Sequence, residues 1–339
     1  MVIDGSRGEG GGALLRQALG LAIYAGRRIR IVNVRARRRT PGLRAQHLKA
    51  IEAAALLSGA TVEGATLGSR DLLFAPGPTR SGAWEVDVGT AGAITLVLQS
   101  VLLPALARRE KVRFSLVGGT DTTWAPPADY LDRVTFSALS GFGRGRLSVE
   151  RRGYYPRGAG KAIALLDGVG VPAPLELVEA PSVAKLGGVS HASSSLRPRR
   201  VAERQAQAAE RGLASVGPVD VAVSYSEAPS PGSGIVLWTE GSEPPLAGSA
   251  LGARGRPAEE VGATAALALL RELDSGAAVD RHLADQLVPF LAVAGGRLKT
   301  SEISGHTRSS VEVARELLGV GIEIDDDRCV IEAAAPPPG

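Results

Sequence analysis

The 339-residue chain is poor in several things at once: one cysteine, one methionine, four histidines, and an aromatic content of only 4%. A single thiol, Cys329, excludes an intramolecular disulfide framework and any cysteine-based zinc cluster. It also suits a reducing compartment, so a cytosolic location is expected. Few aromatics argue against an extended base-stacking surface of the kind single-strand binders use. No stretch reaches the roughly 18 apolar residues of a membrane span, and the N-terminal residues show no basic flank leading into an apolar run. A soluble, unsecreted protein without a membrane partner is the resulting expectation. Hydrophobic residues at 44% and charged residues at 22% are ordinary for a globular chain, and the length calls for two domains or one large domain with an insertion.

Acid is also missing locally. Arg27, Arg28, Arg30, Arg35, Arg37, Arg38, Arg39 and Arg44 fall in a window with no carboxylate, although the net charge of the chain is only +4. Such a window is either a solvated basic face or a surface for phosphate oxygens, which the guanidinium fork matches.

Hydrophobic periodicity gives a recurring order of elements. Helices are predicted at Leu14–Ala25 and Leu43–Leu57, with strands at Arg28–Val34, Thr61–Leu67 and Asp71–Ala75. The order returns with strands at Trp84–Val88, Lys111–Val117, Arg146–Arg151 and Lys161–Leu165 and helices at Thr95–Leu106 and Pro126–Ser140. A less complete copy closes the chain: helices at His282–Ala294 and His306–Leu318, strands at Arg297–Ile303, Gly321–Asp325 and Arg328–Glu332. No copy could bury its apolar face alone, so the expected fold is α/β (α+β), with three units in pseudo-threefold arrangement around a shared centre.

Residues 175–276 fit none of the copies and read as a smaller inserted α/β domain, leaving 1–174 and 277–339 as the three-repeat domain. Its expected strands are Val183–Val189, Val219–Ser224 and Gly234–Thr239; its helices, Arg200–Ser215 and Ala258–Leu273. The Pro/Ser/Gly tract Ala228–Gly234 reads as a mobile loop, and Pro336–Gly339 as a disordered tail.

Three segments carry chemistry-bearing residues. In Lys299–Ser310, His306 follows Gly305 out of a strand-like stretch onto a helix start, near backbone donors that suit phosphate. It is either a capping or structural histidine or a nucleophile. Gly8-Glu9-Gly10-Gly11-Gly12 precedes the first helix and is either a tight turn or a loop admitting phosphate; it is not a Walker loop. In His282–Gln286, Asp285 and Gln286 interrupt an apolar helix, so they are either partnered or functional.

In order along the chain stand Gly-Glu-Gly-Gly-Gly (8–12), Pro-Gly-Leu-Arg-Ala-Gln-His (41–47), Thr-Leu-Val-Leu-Gln (95–99), Gly-Gly-Thr-Asp with Ala-Pro-Pro-Ala-Asp-Tyr (118–130), Gly-Tyr-Tyr-Pro (153–156) and His-Leu-Ala-Asp-Gln (282–286). Together with the His306 segment, they resemble the RNA 3'-terminal phosphate cyclase family over nearly the whole chain. The chain looks like the catalytic branch, since the ribosome-assembly paralogues lack the histidine.

The resemblance implies three units of two helices and a four-stranded sheet plus an inserted domain. It also implies a reaction: the histidine attacks the α-phosphorus of ATP, AMP passes to an RNA 3'-phosphate, and the 2'-hydroxyl closes a 2',3'-cyclic phosphate. His306 would be the nucleophile. Gln99, Pro126, Tyr130, His282, Leu283, Ala284, Asp285 and Gln286 would form the ATP pocket, and Arg16, Arg38, Gln46 and His47 would hold phosphate or the RNA end. Glu9 would sit with Mg2+ or Mn2+. RNA 3'-phosphate ends are the implied partner, with oligomeric state open and a homodimer among the options. The sequence departs from the family at His282, where tyrosine is usual, at Arg157–Gly160 in the glycine run, and at Thr307–Ser310. A non-catalytic RNA-binding paralogue and an enolpyruvyl transferase are the competing readings.

Overall fold

The computed structural model describes residues 1–170, 173–241 and 243–334. The expected tail at Pro336–Gly339 lies outside them. The chain opens with β1 (Val2–Asp4), α1 (Gly12–Ala25), β2 (Ile29–Val32), α2 (Ala45–Ser58), β3 (Thr61–Glu63) and β4 (Leu72–Ala75). Next come β5 (Gly82–Asp87), α3 (Ile94–Gln99), α4 (Leu102–Leu106), β6 (Lys111–Gly118), α5 (Ala128–Tyr130), α6 (Phe136–Ala138), β7 (Gly143–Arg151), β8 (Gly160–Gly168) and β9 (Leu175–Leu177). Then follow β10 (Lys185–Ser193), α7 (Val201–Leu213), β11 (Val219–Ser226), β12 (Ser233–Glu240), β13 (Ala247–Leu251) and α8 (Ala258–Asp274). The last elements are α9 (Arg281–Ala294), β14 (Gly296–Lys299), α10 (Gly305–Leu318), β15 (Ile322–Asp325) and β16 (Val330–Ala333).

Among the described residues these strands form four mixed four-stranded sheets: β1-β2-β4-β3, β5-β6-β8-β7, β9-β14-β16-β15 and β11-β10-β12-β13. In each of the first three, the opening pair is parallel and the other two are antiparallel. One continuous core joins those three sheets to α1–α4, α9 and α10. α1 packs on α2, α4 and α10, and α10 packs on α9. α1 and α2 both stop at a left-handed glycine, Gly26 and Gly59, a conformation that costs other residues a Cβ clash. The fourth sheet with α7 and α8 buries a separate cluster around Leu186, Leu213, Leu237 and Leu269. No helix among the described residues is long and apolar enough to cross a membrane.

Several sequence expectations are corrected. The Thr95–Leu106 helix divides at Ser100–Val101, because Pro104 has no N–H to give the Ser100 carbonyl. Pro126–Ser140 is no single helix: α5 and α6 flank a π-turn at Leu131–Thr135, where Asp132 Oδ1 accepts from Leu147 N. Strand Thr61–Leu67 ends at Glu63, since Gly64 turns with φ +78. Strands β1, β9 and β13 are not legible in the sequence. β9, within the stretch assigned to the insertion, pairs in parallel with β14.

The Ala228–Gly234 tract is packed. Ser230 is buried and accepts from Arg157 N, while Gly232 lies flat on the Tyr154 ring, where any Cβ would collide.

Candidate active site

The sequence around Glu9 lets a loop lie directly on a helix start. Gly8 and Gly10 have φ of +55 and +56, and a Cβ on Gly8 would overlap Ser309 Oγ on α10. Glu9 N donates to that same Ser309 oxygen at 3.3 Å. On the other side, a Cβ on Gly305 would come within 2.7 Å of Glu9 Oε1. Glycines on both faces therefore bring the Glu9 carboxylate onto the first turn of α10.

That turn is built by Ser304, whose side chain caps the helix by accepting from Thr307 N at 3.0 Å. His306 occupies the first turn, with Nε2 3.0 Å from Glu9 Oε2, and Arg38 stands 3.5 Å from the same oxygen. Partial burial holds the imidazole below its ordinary pKa. Glu9 opposes that shift, while Arg16, Arg38 and His282 add to it. The neutral form, with a free lone pair, is therefore favoured at neutral pH. His306 itself is not the cap.

His47 and Arg16 converge at the start of α1, where a Cβ on Gly12 would overlap His47 Nε2 and lie 3.1 Å from Arg16 Nη1. His47 Nδ1 accepts from Arg44 N at 3.1 Å, so its proton is on Nε2, the nitrogen facing that helix start. Burial and then the neighbouring Arg16, Arg35 and Arg44 push its pKa down to about 3. It is a neutral donor, suited to a phosphate oxygen and not to base catalysis. Arg16 is buried, which lowers its pKa to about 10, and its Nε donates to Gln99 Oε1 at 3.2 Å. Gln46 Oε1 accepts from Ala93 N, tying α2 to the loop before α3.

A narrow cleft with room for about 30 Å³ lies between α1, α3, α4 and α9, and its polar lining is Gln17, Gln99, Thr135, Asp285 and Gln286. Burial raises the Asp285 carboxyl to about 7 against the pull of Arg16. Gln286 is held at both ends, donating to His282 O at 2.6 Å and accepting from Thr135 Oγ1 at 3.2 Å. His282 is exposed in the first turn of α9, close enough to His306 to affect its titration.

Not every expected residue reaches this cleft. Leu283 and Ala284 are fully buried in the core, so only their backbone could serve a ligand. Tyr130 is also buried: its hydroxyl donates to both oxygens of Asp280, at 2.7 and 2.8 Å, and Asp280 caps α9 through His282 N and Leu283 N. Tyr130 thus orients the helix carrying His282–Gln286 from behind. Pro126 is tied in by its carbonyl, which accepts from Thr95 Oγ1 at 2.8 Å.

The arginine window is only partly a site. Arg30 pairs with Asp71, Arg27 donates to Leu317 O, Arg35 to Thr40 O and Gly42 O, and Arg37 to Gly8 O. Asp71, distant in sequence, supplies the acid the window lacks. Sequence reasoning missed Asp280, whose placement before α9 is an N-cap signature.

Beside His306 stands the Glu9 carboxylate, which faces Arg38. That donor set fits a hard cation bound chiefly through substrate phosphates, because Mg2+ keeps most of its ligands as water or phosphate oxygen. The one cluster of three metal-capable side chains among the described residues is elsewhere, at Asp121, Asp129 and His191.

The family description "RNA 3'-terminal phosphate cyclase" matches residues 7–324. Proteins named RNA 3'-terminal phosphate cyclase are similar throughout: that of Pyrococcus furiosus is 44% identical over 326 residues, covering 96% of this chain and 95% of its own. The Thermococcus onnurineus protein is 46% identical over 330 residues, covering 96% of each chain. The Archaeoglobus fulgidus protein is 44% identical over 335 residues, covering 97% of this chain and 99% of its own. A match of that extent, over the loop, helix starts and cleft that surround His306, makes this chain a member of the RNA 3'-terminal phosphate cyclase family.

Proposed function

We propose that the protein is an ATP-dependent RNA 3'-terminal phosphate cyclase acting through a covalent adenylate on His306. The observation that carries this reading is the partly buried imidazole, 3.0 Å from Glu9 at the start of α10, with its neutral form favoured. The unprotonated ring nitrogen attacks the α-phosphorus of ATP; an N–P bond forms, the bond to the bridging oxygen breaks, and pyrophosphate leaves. An oxygen of the RNA 3'-phosphate then displaces the imidazole, giving an RNA-adenylate. Finally the 2'-hydroxyl attacks the terminal phosphorus, loses its proton, closes the five-membered ring and expels AMP. Covalent catalysis divides one hard displacement into easier ones.

Charge accumulates on phosphate oxygens at each step, and Arg16, Arg38 and the Nε2–H of His47 would stabilise it. Gln46 would hold the loop before α3 in register. Glu9 would help retain Mg2+ or Mn2+, which supplies charge neutralisation on the phosphates when bound. Gln99, Asp285, Gln286 and exposed His282 would meet the nucleotide, with Leu283 and Ala284 contributing backbone and Pro126 and Tyr130 fixing the walls.

The three like-ordered sheets support reading the chain outside the insertion as three copies of one unit in pseudo-threefold arrangement, with the insertion entering after β9, the first strand of the third copy. The lone cysteine favours a cytosolic setting.

Incubation with α-labelled ATP and magnesium or manganese tests the reaction. The expected result is an acid-labile protein adenylate, lost in His306→Ala, and a cyclic phosphate on a 3'-phosphorylated oligoribonucleotide. Unmodified protein that still binds RNA would favour the non-catalytic paralogue instead.

A further inference from the structure

The loop between β6 and α5 is flanked by two carboxylates, buried Asp121 near its start and half-buried Asp129 just past its end. Arg152 Nη1 reaches Asp121 Oδ2 at 3.2 Å and Asp129 Oδ2 at 2.7 Å, and its Nη2 bonds Asp129 Oδ1 at 3.1 Å. One guanidinium therefore ties both ends of the loop together. From the fourth sheet, His191 Nε2 faces the same two carboxylates at 3.3 and 3.9 Å without a hydrogen bond to either, while its Nδ1 meets Tyr154 Oη at 2.8 Å. Asp121, His191 and Tyr154 are almost completely buried. Asp121, Asp129 and His191 have the spacing of metal ligands, but Arg152 already lies against both carboxylates and supplies the neutralising charge.

This clip holds up two aromatic rings that packing does not. Trp124, midway along the loop, is 98% exposed and has φ +66; Tyr155, next to clip residue Tyr154, is 78% exposed. The chain's other tryptophans are packed, Trp84 against Phe114 at 5.4 Å and Trp238 beneath Arg133 at 5.7 Å. A large ring in water, on backbone that disfavours side chains, is not placed by the hydrophobic effect. Rigid anchoring close by makes it a preformed platform instead.

The loop that carries Trp124 is tied to the candidate active site. Two residues after Trp124, Pro126 is hydrogen-bonded to Thr95 of α3, whose last residue, Gln99, holds Arg16. Ala91 touches Gly119 in the same loop system, and nearby Ala93 N is held by Gln46. Arg157, also exposed, follows Tyr155 and offers a cation for a phosphodiester. Every nucleobase has a face that stacks on an aromatic ring, so such a platform reads a strand end without demanding a sequence.

Building on the cyclase reading, we propose that Trp124 stacks on a nucleobase just upstream of the RNA 3'-terminal phosphate and aligns that end for the adenylate, with Tyr155, on the other segment held by the clip, as a second exposed ring. It complements the arginines, which grip phosphate only.

Anisotropy with 5'-labelled, 3'-phosphorylated oligoribonucleotides tests this on the full-length protein. Trp124→Leu should weaken binding by about 5- to 150-fold, the range of a lost base–aromatic stack, and Trp124→Phe should weaken it less. An abasic residue at one of the upstream positions should weaken wild type but leave Trp124→Leu unaffected. Adenylate formation from ATP alone should be unchanged in the variant. Unaltered RNA affinity in Trp124→Leu, or a defect confined to adenylate formation, overturns the proposal while the cyclase reading stands. Wild type that neither forms an adenylate nor binds the oligonucleotide overturns both.

Discussion

Replacing Glu9 by glutamine should lower the pKa of His306. Burial already depresses it, Arg16, Arg38 and His282 act in the same direction, and Glu9 is the anion that resists. At 3.0 Å, a unit-charge pair in water-like surroundings is worth about 1.4 kcal/mol, or about one pH unit. Both side chains are about two-fifths exposed, 43% and 39%, so the water-like figure applies, and dissolved salt reduces it further. A fall of about 0.5–1 unit is expected. With four histidines in the chain, imidazole resonances can be followed by NMR titration and His306 assigned by its loss in His306→Ala. The neutral ring is the nucleophile, so reactivity rises with pH through the pKa; the acid limb of adenylate formation should therefore move to lower pH in Glu9→Gln, even as its plateau falls. A His306 midpoint that stays fixed or moves upward would refute the electrostatic account.

Two further outcomes follow from the same geometry. His47 is held neutral down to about pH 3, whereas an unfolded histidine takes a proton below about 6.5; its contribution to stability is present above 6.5 and is lost as pH falls toward 3. Urea titrations at pH 7 and pH 4 should thus show a smaller acid loss in His47→Asn, by up to about 3 kcal/mol. Gly8→Ala should destabilise by about 1–3 kcal/mol, from left-handed strain and overlap with Ser309 Oγ, and Gly8→Ala/Ser309→Ala should recover part of the lost melting temperature.

Placement of Trp124 and Tyr155 gives the low aromatic content a different meaning. Few rings exclude a long stacking surface, yet two exposed rings suffice for one or two bases at a strand end. The clip beneath them also ties in the fourth sheet: His191 of β10 faces the loop carboxylates, so that sheet is coupled to the segment carrying Pro126.

By itself the sequence determined the long amphipathic elements, α1, α2, α7–α10 and most central strands, because their periodicity is local and repeats over enough residues to be read. It also placed His306 at a helix start and Glu9 in a glycine loop, since caps and glycines act within a few residues. Tertiary structure decided the rest. β1 and β9 are three residues each, too short for an alternating pattern, and they exist because β2 and β14 offer an edge. Tyr130, expected at the nucleotide, is turned to Asp280, 150 residues away. Asp71 removes Arg30 from the basic window, and Asp121, Asp129, Arg152 and His191 become one buried network only when two cores pack together. Charges and donors find partners across such distances because burial makes an unpaired group costly, and local sequence does not encode which partner burial will supply.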